Sequence, residues 1–531
     1  MIYFLLSLLP ILIYLILKTT KTLHIYQQNR YNENNWYIKW LSSNPCKVFV
    51  NIDILYILVF VIGFVIKDNI LQIISAIIGL IVLIIGIKIR KKEQVKKPLV
   101  YTDRVKRLLM TFVFIHTLII FLLCYNYISE LLHIYYLIIG LMAYFNYYVI
   151  HIVGIINAPT EKRINKGYKD QAIKKLSQMP HLKIIGITGS YGKTTSKNII
   201  SDILNIKYNA FPTPLNYNTE MGLANTINNY LDKFTDIFIA EMGALKFGYI
   251  KKYCEFVKPQ YGILTILGEA HLDTMGSLEN ITKCKFSLIE SLPKKGLGVL
   301  NGDDPRQLEY DLNHKCRLVW VAIDNKDADI VAENIKITRD GMKFNVKFKG
   351  EKETPEFETV LLGQPNIYNI LMGIAIGKEF GMSIEELQRG VRKVKPVEHR
   401  LELKQMGDIT LIDDAYNSNP IGSKMALEVL DLIGGKKIIV TPGMVELGER
   451  QYEANYEFGT YIADICDEVI LVGKEQTKPI YDGLIYKKYP TKKIHIINDV
   501  KKAFTLINKL KDKQTTVLLE NDLPDVYNEG S

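Results

Sequence analysis

The first third of the chain is written in long apolar runs, and the remainder in short ones. Tyr3 to Leu17 is almost uninterrupted, Ile54–Ile66 and Ile70–Ile87 flank the polar break Lys67-Asp68-Asn69, and Leu108–Cys124 and Leu131–Ile156 follow. A helix needs about 20 apolar residues to cross a bilayer, and about 17 at the least. The pattern therefore predicts an α-helical transmembrane bundle of about five helices over residues 1–157, with the first two runs short. Residues 1–17 lack the basic start and small-residue cleavage site of a signal peptide.

From about Ala158 the rhythm changes. Short β-branched runs (Lys183 to Thr188, Asp236 to Ala240, Tyr261 to Ile266) alternate with helix-length amphipathic segments, the pattern of an α/β protein with a mostly parallel sheet. After Pro396 a second series begins: Ile409 to Asp413, Lys437 to Thr441, Val469 to Val472, Lys493 to Ile497 and Thr516 to Leu519. It predicts a Rossmann-like domain of about 130 residues, an ordinary domain size. The expected division is a membrane region over 1–157, a central domain over 158–395 and a C-terminal domain over 396–531.

Composition narrows the classes. With 48% hydrophobic residues, 18 Pro and 35 Gly in 531, disordered and collagen-like chains are excluded. The six cysteines are scattered, with no CxxC pair, which fits neither a disulfide framework nor a four-thiolate zinc site. The net charge of +10 is uneven: 21 Lys and Arg face 8 Asp and Glu over residues 1–175, and 45 face 48 over the rest. That removes the case for a nucleic-acid partner and makes membrane lipid an expected one. Lys18, Lys21, Arg30, Lys39 and Lys47 lie between the first two runs, and a denser cluster from Lys88 to Arg107 lies between the third and fourth. By the positive-inside rule, this predicts a multi-pass protein of the cell membrane with its N-terminus outside and its catalytic domains in the cytoplasm.

The first chemical motif is a phosphate loop. Gly186-Ile-Thr-Gly-Ser-Tyr-Gly-Lys-Thr-Thr195 follows an apolar strand and precedes a helix-like stretch. Gly189 and Gly192 let the backbone of Ser190, Tyr191 and Thr195 wrap around phosphate oxygens, Lys193 supplies a cation, and Thr194 a hydroxyl for Mg²⁺. A strand ending in Glu241 places a carboxylate where a second magnesium ligand belongs. His271, after another apolar strand, faces the same region.

In this order the pieces resemble the Mur ligase family, and within it the MurF branch, which adds D-alanyl-D-alanine. The resemblance covers Lys183 to Asp525. It is carried by the loop TGSYGKTT, LNYNTEMGLANTI (Leu215 to Ile227), AEMGA (Ala240 to Ala244) and EAHLDTMGSLENITKCK (Glu269 to Lys285). It continues through NGDDP (Asn301 to Pro305), LGQPNIYN (Leu362 to Asn369), HRLE (His399 to Glu402), DDAYNSNP (Asp413 to Pro420) and GMVELG (Gly443 to Gly448). It implies a P-loop central domain, a Rossmann-like C-terminal domain, and an ATP-dependent ligation of a carboxylate to an amine through an acyl phosphate. It also implies two Mg²⁺ ions, with Thr194 serving the first and Glu241, His271 and Lys285 the second, and a carbamylated lysine at Lys285. Asn366 is similar to the adenine-side asparagine, Arg400 to a phosphate-facing arginine and Asp414 to the ribose-binding acid. Lys193, Lys285, His271 and Arg400 are then the expected catalytic residues. Asn216 and Asn218 face a muramyl-peptide precursor, whose partner is an amino acid or dipeptide.

Departures from the family pattern are equally concrete. No uridine-binding domain fits between Ile156 and Lys183. Pro365 replaces the usual histidine before Asn366, and Leu519-Glu-Asn-Asp-Leu-Pro-Asp525 stands where the family has a KGS-type segment. These leave open a ligase for a lipid-linked precursor or another envelope polymer. An ATP-driven transporter or a scaffold is the reading from another class, but no LSGGQ-type signature is present and the nucleotide residues are intact.

Overall fold

The computed structural model describes residues 2–48, 98–126, 141–142, 144–269, 272–416, 418–445 and 447–522, with isolated positions between 54 and 85. The chain forms two compact units, Met1–Lys166 and Gly167–Leu523.

In the first unit the described helices are Ile2–Gln28, Trp36–Ser43, Pro45–Val48, Asp103–Asn126 and the start of Asn146–Ser177. Leu23, Tyr26, Tyr37, Val105, Phe112, Ile150 and Val153 form a buried cluster. Polar groups are built into it. Lys18 is buried and donates to the Tyr144 carbonyl at 3.1 Å, while Tyr37 donates to the Tyr147 carbonyl at 2.9 Å. Arg107 grips the Glu161 carboxylate with two nitrogens, at 2.6 and 2.9 Å.

The membrane expectation is corrected here. Among the described residues no helix is long and apolar enough to cross a membrane, which overturns the multi-pass location and leaves the five-span bundle without support; nothing in the structure shows a lipid partner. Run length does not register the charged residues that share a helix with the run. The helix Asn146–Ser177 passes through Glu161, Lys162, Arg163 and Lys166, and Asp103–Asn126 opens on Asp103, Arg104, Lys106 and Arg107. The runs Ile54–Ile66 and Ile70–Ile87 and most of Leu131–Ile156 lie outside the described residues.

The second unit holds two sheets. The first has the order β2-β3-β1-β4-β5-β6-β7-β8-β9, with β1 (Lys183–Thr188), β2 (Ala210–Pro212), β3 (Ile237–Glu241), β4 (Tyr261–Leu264), β5 (Leu297–Asn301), β6 (Arg317–Ala322), β7 (Ile330–Thr338), β8 (Gly341–Phe348) and β9 (Glu356–Thr359). Strands from β2 to β7 pair in parallel, and β8 and β9 extend the sheet antiparallel. The sheet is thus mostly parallel, as expected, with an antiparallel extension at one edge. In β8, Met342, Phe344, Val346 and Phe348 are buried and alternate with polar residues, so its outer face meets water.

Helices cover both faces. Lys193–Leu204 buries Ile199, Ile200, Ile203 and Leu204 against Ile367, Ile370, Leu371 and Ile374 of the helix Gln364–Glu379, each worth about 1.5–3 kcal/mol in area removed from water. On the other face Leu278–Glu290 buries Ile281, Phe286 and Leu288. Ser277 caps it by accepting from Asn280 N, and its packing turns Lys285 inward, with 3% of its surface exposed.

The second sheet has the order β10-β11-β15-β12-β13-β14, with β10 (Glu402–Met406), β11 (Ile409–Asp414), β12 (Lys436–Thr441), β13 (Glu468–Val472), β14 (Ile494–Ile497) and β15 (Thr515–Glu520). Only the β10–β11 pair is antiparallel. The acids Asp414 and Glu520 end neighbouring strands and are register partners.

Candidate functional site

The loop between β1 and the helix Lys193–Leu204 is shaped by two glycines with φ of 153° at Gly189 and 81° at Gly192. A Cβ on Gly189 would lie 1.9 Å from Thr265 Oγ1, and Thr265 Oγ1 donates to the Tyr191 carbonyl at 2.7 Å. Ser190 is held by its N–H on the Ile266 carbonyl and its hydroxyl on the Gly268 carbonyl, at 3.0 and 2.8 Å. Burial pushes the Tyr191 phenol up to about 12. The segment after β4 thus cradles the loop, and the first helical turn (Lys193, Thr194, Thr195) presents backbone N–H groups with no intrahelical acceptor.

Lys193 Nζ curls back onto the carbonyls of Gly189 and Ser190, at 2.7 and 2.9 Å. Thr194 Oγ1 donates to the Glu241 carboxylate, 3.0 and 3.2 Å from its two oxygens. Glu241 is 1% exposed and also accepts from Asn218 Nδ2 at 3.0 Å and Lys197 Nζ at 3.1 Å. Lys197 holds the Leu215 carbonyl as well, at 2.6 Å. Asn218, expected to face substrate, is turned onto Glu241, whereas Asn216 is exposed.

The charge balance is lopsided. Burial first, then the nearby positive Lys285 and Arg400, push Lys193 down to about 7 despite Glu241. Burial holds Lys285 down to about 8 and lowers Lys197, with Arg400 adding repulsion. Among the described residues, Lys193, Lys197 and Lys285 interact with one carboxylate, Glu241, and Arg400 lies near enough to repel the first two. A set like this calls for an anion of several charges. Thr194 and Glu241 supply the hard oxygen donors magnesium takes. No cluster of three or more His, Cys, Asp or Glu is found among the described residues, and a magnesium site shared with phosphate oxygens and water needs only one or two carboxylates. His271 lies outside the described residues.

Two further groups reach this region. Asn366 is buried, donates to the Leu362 carbonyl at 2.8 Å and accepts from Asn369 Nδ2 at 3.3 Å. Asn369 in turn accepts from Ser196 Oγ at 2.7 Å, tying Asn366 to the phosphate-loop helix. Arg400 stacks over the Tyr416 ring at 4.4 Å and sits between two left-handed residues, His399 (φ 59°) and Leu401 (φ 47°). Non-glycine residues in this region are strained, and acids hold the turn in place. Leu401 N donates to Asp414 Oδ1 at 3.1 Å, His399 Nδ1 meets Asp413 Oδ2 at 2.8 Å, and Lys404 bonds Asp413 at 2.7 Å. Burial works against the Asp413 charge, but these bonds hold its carboxyl below the usual range.

Sequence reading missed Lys197, Asn369, Asp413, Glu520 and Arg450. Lys197 had a signal: it lies one helical turn beyond Lys193, on the same face. Arg450 Nη1 reaches Glu269 Oε1 at 2.6 Å, with Arg450 half-exposed. An exposed pair contributes little, so Arg450→Ala is expected to change unfolding stability by less than about 1 kcal/mol in urea titrations.

Comparison with known proteins agrees with this geometry. Residues 187–377 match the Mur ligase middle domain, and residues 399–520 the domain described as Mur ligase, glutamate ligase domain. The UDP-N-acetylmuramoyl-tripeptide--D-alanyl-D-alanine ligase of Bacillus subtilis (strain 168) is 31% identical over 308 residues, 57% of this chain and 65% of that protein. The Escherichia coli (strain K12) ligase of the same name is 29% identical over 300 residues, 55% and 65%. The chain thus spans just under two thirds of the length of these curated relatives. Among solved structures, MurF from Acinetobacter baumannii has a TM-score of 0.61 at 22% identity, covering 68% of this chain and 78% of that one. MurF ligase from Thermotoga maritima in complex with ADP gives 0.61 at 24%, covering 69% and 82%.

Proposed function

Since the chain belongs to the Mur ligases through its middle and C-terminal domains, we propose that it is an ATP-dependent ligase that joins a carboxylate to an amine. In the manner of MurF, it adds D-alanyl-D-alanine or a related amine to a muramyl peptide. The observation that carries this reading is the set of three lysines around Glu241 at the phosphate loop, with Arg400 close to two of them. Transfer of a phosphoryl group between two anions needs this concentration of positive charge, held in place before the reactants arrive.

In this reading the loop N–H groups and Lys193 hold the ATP phosphates, and Arg400 approaches them from the second sheet. Asn366 lies toward the base and Asp414 toward the ribose. Thr194 would hold one magnesium, and Glu241, with His271 and Lys285, a second. When bound, the metal neutralises phosphate charge and aligns the oxygens. Lys285 is inward-facing, and its amine, lowered to about 8 by burial, has the neutral fraction that addition of carbon dioxide requires.

The reading is tested by measuring ADP release with UDP- and lipid-linked muramyl tripeptides crossed with D-alanyl-D-alanine, D-alanyl-D-lactate and single amino acids. At least one pair should stimulate turnover, and silence from every pair would sink the assignment. Lys285→Ala is expected to lower turnover about 10- to 100-fold, with partial recovery on adding formate or acetate. No recovery would contradict a carboxylated lysine.

A further inference from the structure

Glu520 is a buried acid that the reading above does not use. It has no exposed surface. Its Oε1 accepts from Ser418 Oγ at 2.5 Å, while no donor reaches its buried Oε2. Beside it, across the β11–β15 ladder, stands Asp414. Two neighbouring carboxyls, one fully buried and the other only partly exposed, do not readily both ionise. Burial and the Asp414 charge push Glu520 well up, whereas Asp414, raised by burial to about 6, is held there by Leu401 N, Arg400 and a bond from Glu520. A neutral Glu520 has a hydroxyl to give, and Asp414 is the acceptor beside it.

We propose that Glu520 is a positioning residue: an uncharged carboxylic acid that donates its proton to Asp414 and so fixes the carboxylate that clamps the Arg400 turn against the nucleotide. The proposal rests on the nucleotide-binding reading above. The charge that restrains Asp414 comes from Arg400, and Asp413, the neighbouring acid, is paired with Lys404 and hydrogen-bonded to His399.

The test is ATP affinity by calorimetry from pH 5 to 8 for the wild type, Glu520→Gln, Glu520→Leu and His399→Gln. The wild type should lose affinity as pH falls through the Asp414 value, because protonation removes the charge that holds the turn. Gln keeps both a donor and an acceptor, so Glu520→Gln should match the wild type in affinity and profile. Glu520→Leu should bind roughly tenfold more weakly at pH 7.5, with the acid limb moved to higher pH. A limb moved to lower pH would mean that Glu520 is ionised, and would overturn the proposal. So would unchanged binding in Glu520→Leu, or a limb that vanishes in His399→Gln. If Glu520→Leu does not fold, lost affinity in Glu520→Gln is the overturning result. A wild type that binds no ATP defeats the functional reading and this proposal with it.

Discussion

Lys193→Ala is expected to abolish ligase turnover, by at least about 10²- to 10³-fold, while leaving the fold as stable as before or more so. Lys193 is held among other cations, and its ammonium is depressed to about 7 from the ordinary lysine value. A native value below the unfolded one means that the folded state holds the proton less tightly. The charge then opposes folding below pH 7, and that penalty fades as pH rises toward the unfolded value. Removing the side chain relieves the penalty and forfeits only bonds to two loop carbonyls. ADP release and thermal unfolding of the same preparation separate the two effects. Retained turnover would contradict the phosphate-loop assignment, and a large fall in Tm would contradict the stability argument.

Glu241→Gln is expected to do the opposite, damaging both properties. Lys197 and Glu241 are each 1% exposed and lie 3.1 Å apart. Breaking one side of a buried pair costs about 3–5 kcal/mol, because the remaining charge is left without its partner. The deficit should shrink as pH rises, since the unfolded chain then holds the Lys197 proton that the folded one resists. Urea unfolding at pH 7 and pH 9.5 checks the sign. The double variant Lys197→Met with Glu241→Gln should recover part of the stability but none of the turnover. A single variant as stable as the wild type would show that the pair is not the closed contact described here.

Much of the nucleotide half was legible because its signals are local. β1 runs from Lys183 to Thr188 as expected, and the five strands of the second series fall within about one residue of their expected ends. The glycines, Lys193 and Thr194 are adjacent in sequence because one tight turn must carry them all. What was not legible depends on distant partners. The place of β15 between β11 and β12 follows from crossovers that no single segment encodes. Glu520 becomes notable only when Ser418, 102 residues away, and Asp414 are seen beside it. The alternation in β8 is written in its sequence, but this strand is followed by another strand and so falls outside the strand-helix rhythm of the rest of the sheet. The apolar runs of the first unit are a separate case: Lys18, Arg107 and Glu161 stand just beyond the run ends, and their contacts within that unit are made with distant partners.

The central position of β15 also bears on how the protein is made. A ribosome that has released β10 to β14 has delivered five of the six strands of that sheet, yet β11 and β12 still have no strand to join them. The edges of β11 and β12 that face each other across the gap stay unpaired until Thr515–Glu520 has emerged. Completion of this sheet is therefore governed by one late, long-range insertion. The phosphate-loop sheet, whose β1 to β5 lie together earlier in the chain, can assemble while synthesis continues.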